Sequence, residues 1–397
     1  MDLSLSPEQE AVRQLAADFV DREIVPYAAE WDRREAIDRA VIKRLGDLGL
    51  LGLTIPEAMG GSGGDHMAYC LVLEELGRGD SAVRGLVSVS LGLVGKTIAA
   101  NGSPDQQQHW LPRLCTGEAL ACFGLTEPGT GSDAASLATR AVRDTDDDSG
   151  RGGGWTISGS KMFITNGMWA DVVLLFARTG GSGPRGVTAF LVPMDSPGLT
   201  RREIHGKLGL RGQPTAELTF DGVRVPDSAR LGPEGQGFRI AMSALDKGRM
   251  SVGAGCVGIA QGCLNAAVRY ASERTQFGRP IAAHQLVQEL LARIAVDTAA
   301  ARLLVWRVAD LIDRGQPFGT EASMAKLHAS EAAVRAANDA LQVFGGYGYI
   351  DEYPVGKYLR DARVMTLYEG TSQIQQLLIG RALTGVDAFN AAPKESR

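Results

Sequence analysis

Residues 367–378 read Leu-Tyr-Glu-Gly-Thr-Ser-Gln-Ile-Gln-Gln-Leu-Leu, and this stretch carries more information than any other in the chain. Gly370 predicts a tight turn beside Glu369. The apolar residues that follow recur at helical spacing, so an amphipathic helix is expected directly after the turn. A carboxylate just before a helix is commonly present because the helix dipole favours negative charge there. Whether Glu369 does more than this depends on the rest of the chain.

Length, composition and charge narrow the class of protein. A chain of 397 residues is long enough for two or three packed domains. Its net charge of −5 offers no basic surface for nucleic acid or a membrane. Five cysteines without a Cys-x-x-Cys pair and five scattered histidines predict neither disulfides nor a metal site. We therefore expect a protein without a bound metal. Because the N-terminus lacks a signal-peptide pattern, a cytoplasmic location is also expected.

The pattern of the chain predicts an α+β fold with its domains in the order helical, β, helical. Residues 1–120 have helical periodicity that begins at a capping box, and they predict an N-terminal helical domain. Short β-rich runs between Gly, Pro, Asp and Ser clusters predict a central antiparallel β domain over residues 121–232. The helical pattern returns over residues 233–390 and predicts a C-terminal four-helix bundle. Residues 391–397 are expected to form a flexible tail.

Individual elements can be predicted from the same patterns. The most apolar segment, Met250–Ala267, is rich in Gly and Ala and predicts a closely packed buried helix, not a membrane span. Asp144–Gly154 and Gly180–Pro184 are expected to be exposed hairpin turns. The predicted helices include Arg39–Leu48, Met67–Leu76, Val83–Asn101, Pro104–Cys115, Gly237–Ser272, Ala283–Arg314 and Thr320–Phe344. The predicted strands include Trp155–Lys161, Asp171–Ala177, Gly186–Val192 and Glu217–Val225.

Two segments of the β region have residues suited to contact with a ligand. Cys122–Asp133 predicts a strand that runs into a loop of small and hydroxyl residues. In such a loop, backbone N–H groups can approach a ligand closely. In Lys161–Gly167, the side chains of Phe163 and Thr165 lie on the same face of a predicted strand.

Three segments of the helical region are also unusual. Arg274–Pro280 and Gln342–Gly348 combine an arginine beside a helix break with adjacent glycines, and this combination suits a phosphate group. Leu245–Arg249 places charged residues at the start of the most apolar helix. The chain contains no Gly-x-Gly-x-x-Gly fingerprint, Walker loop or Gly-x-Ser-x-Gly elbow. A bound nucleotide would therefore have to be held in another way.

In chain order, these segments and residues 367–378 resemble the acyl-CoA dehydrogenase family, and the resemblance covers about Leu5–Phe389. It implies an FAD-dependent enzyme that converts an acyl-CoA to the trans-2-enoyl-CoA. The family's Tyr-Glu-Gly-Thr base, here Glu369, removes the C2 proton while the C3 hydride goes to flavin N5. The flavin ribityl hydroxyl and the backbone N–H of the base stabilise negative charge on the thioester oxygen. Burial should raise the pKa of Glu369.

The resemblance also implies a set of contacts and partners. Gly248 stands where a second subclass has its base, so Glu369 is the only candidate. By this resemblance, Arg274–Pro280 and Gln342–Gly348 would hold FAD across a subunit boundary, which implies an obligate dimer or, as is more typical of the family, a homotetramer built as a dimer of dimers. An electron-transferring flavoprotein is the implied acceptor. The implied FAD contacts are Phe123, Leu125, Thr126, Gly131, Ser132, Phe163, Thr165, Arg274, Phe277, Gln285, Gln342, Gly346, Thr371 and Gln373. The implied substrate contacts are Ser132, Asp246, Arg249, Tyr368 and Gly370.

The acyl group is the least determined part of the prediction. A short straight or branched acyl-CoA is the main expectation. Arg84 suggests a second substrate, since Asp80–Arg84 resembles the segment of glutaryl-CoA dehydrogenase whose arginine binds the distal carboxylate. Gly77 and Gly85, however, stand where that enzyme has Glu and Ser. The same motifs are also compatible with an acyl group on a carrier protein, with an oxygen-using oxidase and with a non-catalytic flavin relay, although a relay would need no base at Glu369.

Overall fold

The computed structural model describes residues 4–144 and 153–388, in which helical regions precede and follow a central sheet. The predicted α+β class and the order of its parts are therefore confirmed. The expected tail at 391–397 and most of the expected turn at Asp144–Gly154 lie outside the described residues.

Capping residues explain where the N-terminal helices begin. The hydroxyl of Ser6 accepts a hydrogen bond from the backbone N–H of Gln9, and the Gln9 side chain accepts one from the Ser6 N–H. Ser103 and Gln106 repeat this arrangement. The helices are α1 (Pro7–Glu23), α2 (Ala28–Arg34), α3 (Ala40–Asp47), α4 (His66–Gly79), α5 (Ser81–Val87), α6 (Lys96–Asn101) and α7 (Pro104–Cys115). Helix α2 was not predicted.

The predicted helix Val83–Asn101 is not a uniform α-helix. Its central part, Ser88–Gly95, is a π-helix that joins α5 to α6. At Gly92 the backbone lies so close to Tyr69 that an added Cβ would be 2.5 Å from the tyrosine hydroxyl. Such π segments occur frequently at functional sites. The hydropathy pattern cannot distinguish the two kinds of helix, because almost every residue here is buried.

The sheet has eight strands in the order β6-β7-β3-β2-β4-β5-β8, and β1 pairs with β4. Most pairs are antiparallel, as predicted, but β1 runs parallel to β4 and one β2–β4 bridge is also parallel. The predicted turn at Gly180–Pro184 connects the antiparallel strands β4 and β5. The strands are β1 (Ala121–Gly124), β2 (Arg140–Arg143), β3 (Trp155–Ile164), β4 (Val172–Arg178), β5 (Val187–Pro193), β6 (Leu199–Glu203), β7 (Ala216–Val225) and β8 (Arg230–Leu231).

Long helices form the C-terminal part, and glycines allow one of them to lie against the N-terminal region. An added Cβ at Gly258 would lie 2.1 Å from the carbonyl oxygen of Glu74, so α4 and α8 meet without room for side chains. The close packing predicted for Met250–Ala267 is thus confirmed. The helices are α8 (Gly237–Glu273), α9 (Gln285–Asp313), α10 (Gly319–Phe344), α11 (Val355–Met365) and α12 (Ser372–Thr384), with a small hairpin of β9 (Thr275–Gln276) and β10 (Arg279–Pro280).

Two helical stretches among the described residues are long and apolar enough to cross a membrane by composition. They are Ser81–Asn101 and Gly237–Glu273, and 89% and 72% of their most apolar windows are buried inside the protein. Both therefore have the burial expected of core helices.

Candidate active site

Glu369 lies on a strained turn between α11 and α12. Its φ is +51°, and that of Gly370 is +93°. A non-glycine residue rarely adopts this left-handed conformation, which persists only when the surroundings hold it in place. The Gln375 side-chain amide donates to the carbonyl oxygens of Glu369 (3.2 Å) and Gly370 (3.0 Å). The Lys326 ammonium donates to the Gly370 carbonyl oxygen (2.8 Å), so two helices hold this turn.

The Glu369 carboxylate points at the backbone of α8. A Cβ added to Gly248 would lie 2.2 Å from the Oε2 atom of Glu369. That oxygen is shielded from solvent and has no hydrogen-bond partner among the described residues. The backbone N–H of Glu369 likewise donates to none of them. A buried carboxylate oxygen with unused hydrogen-bonding capacity is unusual outside functional sites.

Three cationic side chains influence this carboxylate. Burial raises the pKa of Glu369, while the positive charges of Arg84, Lys326 and Arg249 act in the opposite direction. The cations come from α5, α10 and α8 and are almost completely buried. The net result is a carboxylate whose pKa is moved upward, towards the range in which it can accept a proton near neutral pH.

Arg84 lies in the core beside this turn, with only 1% of its surface exposed. Its Nη2 atom donates to the Tyr368 hydroxyl and lies 3.5 Å from the Met365 sulfur. Its Nε atom has no partner, and the guanidinium forms no ion pair among the described residues. A buried cation without a carboxylate partner is costly. Arg84 is thus a buried residue close to Glu369. It is not the solvated surface residue that an arginine on a helix often is.

The charged pair predicted near the substrate is also in this region. Asp246 and Arg249 form an ion pair one turn apart on α8. Arg249 is buried and its Nε atom has no partner among the described residues, whereas Asp246 is only partly buried. Of the two, Arg249 has a charge that acts on the Glu369 carboxylate.

The loop after β1 and the end of β3 are adjacent, so the two β-region segments Cys122–Asp133 and Lys161–Gly167 come together in the structure. The backbone N–H of Met162 donates to the Thr126 carbonyl (2.9 Å), and the Lys161 ammonium contacts the Leu125 carbonyl (3.1 Å) and the Glu127 carboxylate (2.8 Å). Phe163 has φ +59° and is 67% exposed. The Thr165 hydroxyl donates to the side-chain oxygen of Gln213 (3.3 Å). Phe123 and Leu125 pack against the core. Gly131 and Ser132 are exposed.

Some of the remaining predicted residues lie at a cleft of about 460 Å³ at the C-terminal ends of α8 and α10. Arg274, Gly345 and Gly346 line it, and the Arg274 guanidinium lies 5.5 Å from the centre of the Tyr347 ring. Phe277 is 93% exposed, with φ +51°. Gln285 is exposed at the start of α9, and Gln342 is exposed near the end of α10. Gln373 is exposed beside Thr371, the N-cap residue of α12, two positions after Glu369. Among the described residues, no hydrogen bond, ion pair or ring contact joins this cleft to Phe163 or Thr126.

Known proteins match this chain along nearly its whole length. The N-terminal, middle and C-terminal domains of acyl-CoA dehydrogenases match residues 6–118, 122–223 and 235–384. The chain belongs to the acyl-CoA dehydrogenase family. The mitochondrial short-chain specific acyl-CoA dehydrogenase of Bos taurus is 42% identical over 378 residues, which cover 95% of this chain and 90% of that protein.

Solved structures of the family agree with this fold. Butyryl-CoA dehydrogenase from Megasphaera elsdenii is 40% identical with a TM-score of 0.93, and the match covers 96% of this chain and 100% of that one. Glutaryl-CoA dehydrogenase from Mycobacterium smegmatis in complex with FADH2 is 36% identical with a TM-score of 0.91, covering 97% of each chain. This acyl-CoA dehydrogenase is thus a flavoprotein oxidoreductase that uses FAD and acts on the CH–CH bond of an acyl-CoA.

The residues of this acyl-CoA dehydrogenase fit an FAD molecule. The exposed ring of Phe163 offers an apolar face, and the Thr130 hydroxyl on the loop after β1 is buried with no hydrogen-bond partner among the described residues. The cleft at Arg274 supplies a guanidinium and two glycines, and at Gly345 and Gly346 an added Cβ would meet no atom within 4 Å. A guanidinium beside open backbone is a donor set that suits a pyrophosphate.

Two polar side chains that hold the turn of Glu369 were not predicted from the sequence. Lys326 interrupts the alanines that form the buried face of α10, and a lysine at such a position is a signal that could have been noticed. Gln375 is completely buried one turn into α12. Its partners are carbonyl groups of the turn, which no sequence pattern identifies.

Proposed function

We propose that this acyl-CoA dehydrogenase oxidises a short-chain acyl-CoA, straight or branched, to the trans-2-enoyl-CoA, with Glu369 as the base. The observation that carries the proposal is the Oε2 atom of Glu369, which is buried, has no hydrogen-bond partner among the described residues and lies on a strained turn. In this mechanism Glu369 takes the C2 proton, and its free backbone N–H donates to the thioester carbonyl, stabilising negative charge on oxygen. FAD, when bound, supplies the acceptor for the hydride that leaves C3.

We also propose the roles of the surrounding residues. The flavin end of FAD would be held by the loop after β1 and the end of β3, together with two residues that follow the base in sequence. These residues are Phe123, Leu125, Thr126, Gly131, Ser132, Phe163, Thr165, Thr371 and Gln373. The residues of the distant cleft, Arg274, Phe277, Gln285, Gln342 and Gly346, would hold the phosphates of the FAD bound mainly by a second subunit. A site shared between two subunits would explain why no direct contact joins the two groups among the described residues, and the dimer of dimers typical of the family makes a homotetramer the proposed assembly. An electron-transferring flavoprotein is the proposed acceptor and the cytoplasm the proposed location.

The direct test is an anaerobic titration of the FAD-loaded protein with butyryl-CoA, followed by flavin absorbance. Bleaching with a long-wavelength charge-transfer band is expected. Glu369→Gln serves as the matched control, because an amide of the same shape cannot accept the proton. That variant should retain FAD and fail to bleach. If the wild-type protein carries FAD and does not bleach, a short acyl-CoA is not its substrate.

A second candidate substrate, a dicarboxylyl thioester such as glutaryl-CoA, is favoured by one specific observation. Arg84 is buried beside Tyr368 with an unpartnered Nε atom and no ion pair among the described residues. A substrate carboxylate would supply the missing partner. Comparison of glutaryl-CoA with butyryl-CoA in Arg84→Met separates the two candidates.

The two substrates predict different patterns in that experiment. If Arg84 binds a carboxylate, the wild type prefers glutaryl-CoA. Arg84→Met then lowers kcat/KM for glutaryl-CoA by about 30-fold or more, the equivalent of about 2 kcal/mol for a lost buried charge pair. The loss for butyryl-CoA is then much smaller. Equal losses for both substrates, with a wild-type preference for butyryl-CoA, would identify Arg84 as structural.

A further inference from the structure

Lys326 has an environment that packing alone does not require. Its side chain is completely buried in α10, and its Nζ atom has one hydrogen-bond partner among the described residues, the Gly370 carbonyl oxygen at 2.8 Å. It forms no ion pair among those residues. A buried ammonium is unfavourable unless its charge is compensated. Because the Lys326 ammonium contacts the turn of Glu369, its charge can act on that turn.

The turn needs such a contact because it is strained. Glu369 is held in the left-handed region, and Gly370 follows at φ +93°. Gln375 restrains the same carbonyl groups from α12, whereas Lys326 restrains Gly370 from α10. Two restraints from different helices therefore hold the turn from which the Glu369 carboxylate reaches α8, where Gly248 leaves room for it.

We infer that Lys326 is a positioning residue for the dehydrogenation: its ammonium fixes the Gly370 carbonyl, and its positive charge favours the carboxylate form of Glu369. The inference rests on the proposed role of Glu369 as the base. Lys326 itself exchanges no proton with the substrate in this scheme.

The charge of Lys326 is sensitive to pH. Burial lowers the pKa of Lys326 to about 8, and the groups that face it are Cys256 and Arg249 on α8, Glu369 on the turn and Glu331 on its own helix. Lys326 is therefore charged below about pH 8 and loses its charge above it. Because a nearby positive charge lowers the pKa of a carboxyl group, loss of this charge raises the pKa of Glu369.

Three substitutions separate the hydrogen bond from the charge. Lys326→Met removes both, and Lys326→Gln keeps a donor without the charge. Ser323→Ala, one turn earlier on α10, removes a buried hydrogen bond to the Gly319 carbonyl (3.1 Å) and is the matched control. Each FAD-loaded variant is examined in two ways. One is the pH profile of flavin reduction by the acyl-CoA that reduces the wild type, and the other is hydrogen exchange of residues 366–374.

The expected results differ between the variants. Lys326→Met should slow flavin reduction tenfold or more, move the acidic limb of the profile to higher pH and increase hydrogen exchange at the turn. Lys326→Gln should also move the acidic limb, with a smaller increase in exchange. Ser323→Ala should do neither. The inference is wrong if Lys326→Met leaves both the acidic limb and the hydrogen exchange unchanged. If Lys326→Met does not fold, the same result in Lys326→Gln overturns it.

Failure of the proposed function is distinguishable from failure of this inference. If the wild type is reduced by no acyl-CoA, the proposed reaction is wrong, and hydrogen exchange alone then decides whether Lys326 holds the turn. If the wild type is reduced normally and the lysine variants behave as Ser323→Ala does, only the role of Lys326 is wrong.

Discussion

Gly248→Ala tests whether the space beside α8 belongs to the base. The added methyl group would lie 2.2 Å from the Glu369 Oε2 atom and 2.7 Å from a methyl of Leu93. Since atoms of this kind normally stay about 3.5 Å apart, the carboxylate has to move by more than ~1 Å. A displacement of ~1 Å in a reacting group costs about 100-fold in rate. We therefore expect flavin reduction by the acyl-CoA to slow about 100-fold.

Anaerobic stopped-flow measurement of flavin absorbance gives this rate, and urea unfolding gives the stability. Gly253→Ala is the matched control, because its methyl group would lie 2.8 Å from Val305 on the opposite side of the same helix. Both variants carry an overpacking cost of ~1–3 kcal/mol, partly offset by the higher helix propensity of alanine. Only Gly248→Ala should lose rate. If it reduces the flavin as fast as Gly253→Ala does, the Glu369 carboxylate does not act from the observed position.

Further predictions concern the base, a buried ion pair and a close contact between helices. Glu369→Gln should keep its FAD and reduce it about 10²–10⁴-fold more slowly, and a normal rate would exclude Glu369 as the base. Because burial raises the pKa of Glu369, the wild-type kcat/KM should fall on acidification with a midpoint above the ordinary carboxyl value of about 4.3; a midpoint at or below it would contradict this. Lys161→Met removes the cation beside the buried Glu127 carboxylate, which keeps its bonds from the backbone N–H groups of Ala138 and Thr139, so urea unfolding should show a loss of about 3 kcal/mol; an unchanged urea midpoint would refute this. Gly77→Ala places a methyl group 2.5 Å from the Gly255 carbonyl oxygen and should lower the free energy of unfolding by ~1–3 kcal/mol, which an unchanged urea midpoint would refute.

Local interactions explain which elements could be predicted. The capping box at Ser6 predicted where α1 begins, and the helical pattern of α8 and α10 predicted their bounds to within one residue. The short helix α2 was missed because it has neither a side-chain cap nor a long apolar face. The parallel pairing of β1 with β4 joins strands about 50 residues apart, and period-2 alternation does not specify the direction of a partner strand.

The sequence alone determined the family, the candidate base and the order of the structural parts, because these depend on residue types at short spacings. Only the tertiary structure decided the surroundings of Glu369. Arg84, Gly248 and Lys326 lie between 43 and 285 positions from it along the chain, yet all of them influence its carboxylate or its turn. The pKa of a carboxyl group depends on burial and on nearby charges. Both arise only when distant helices pack together, so no local pattern can report them.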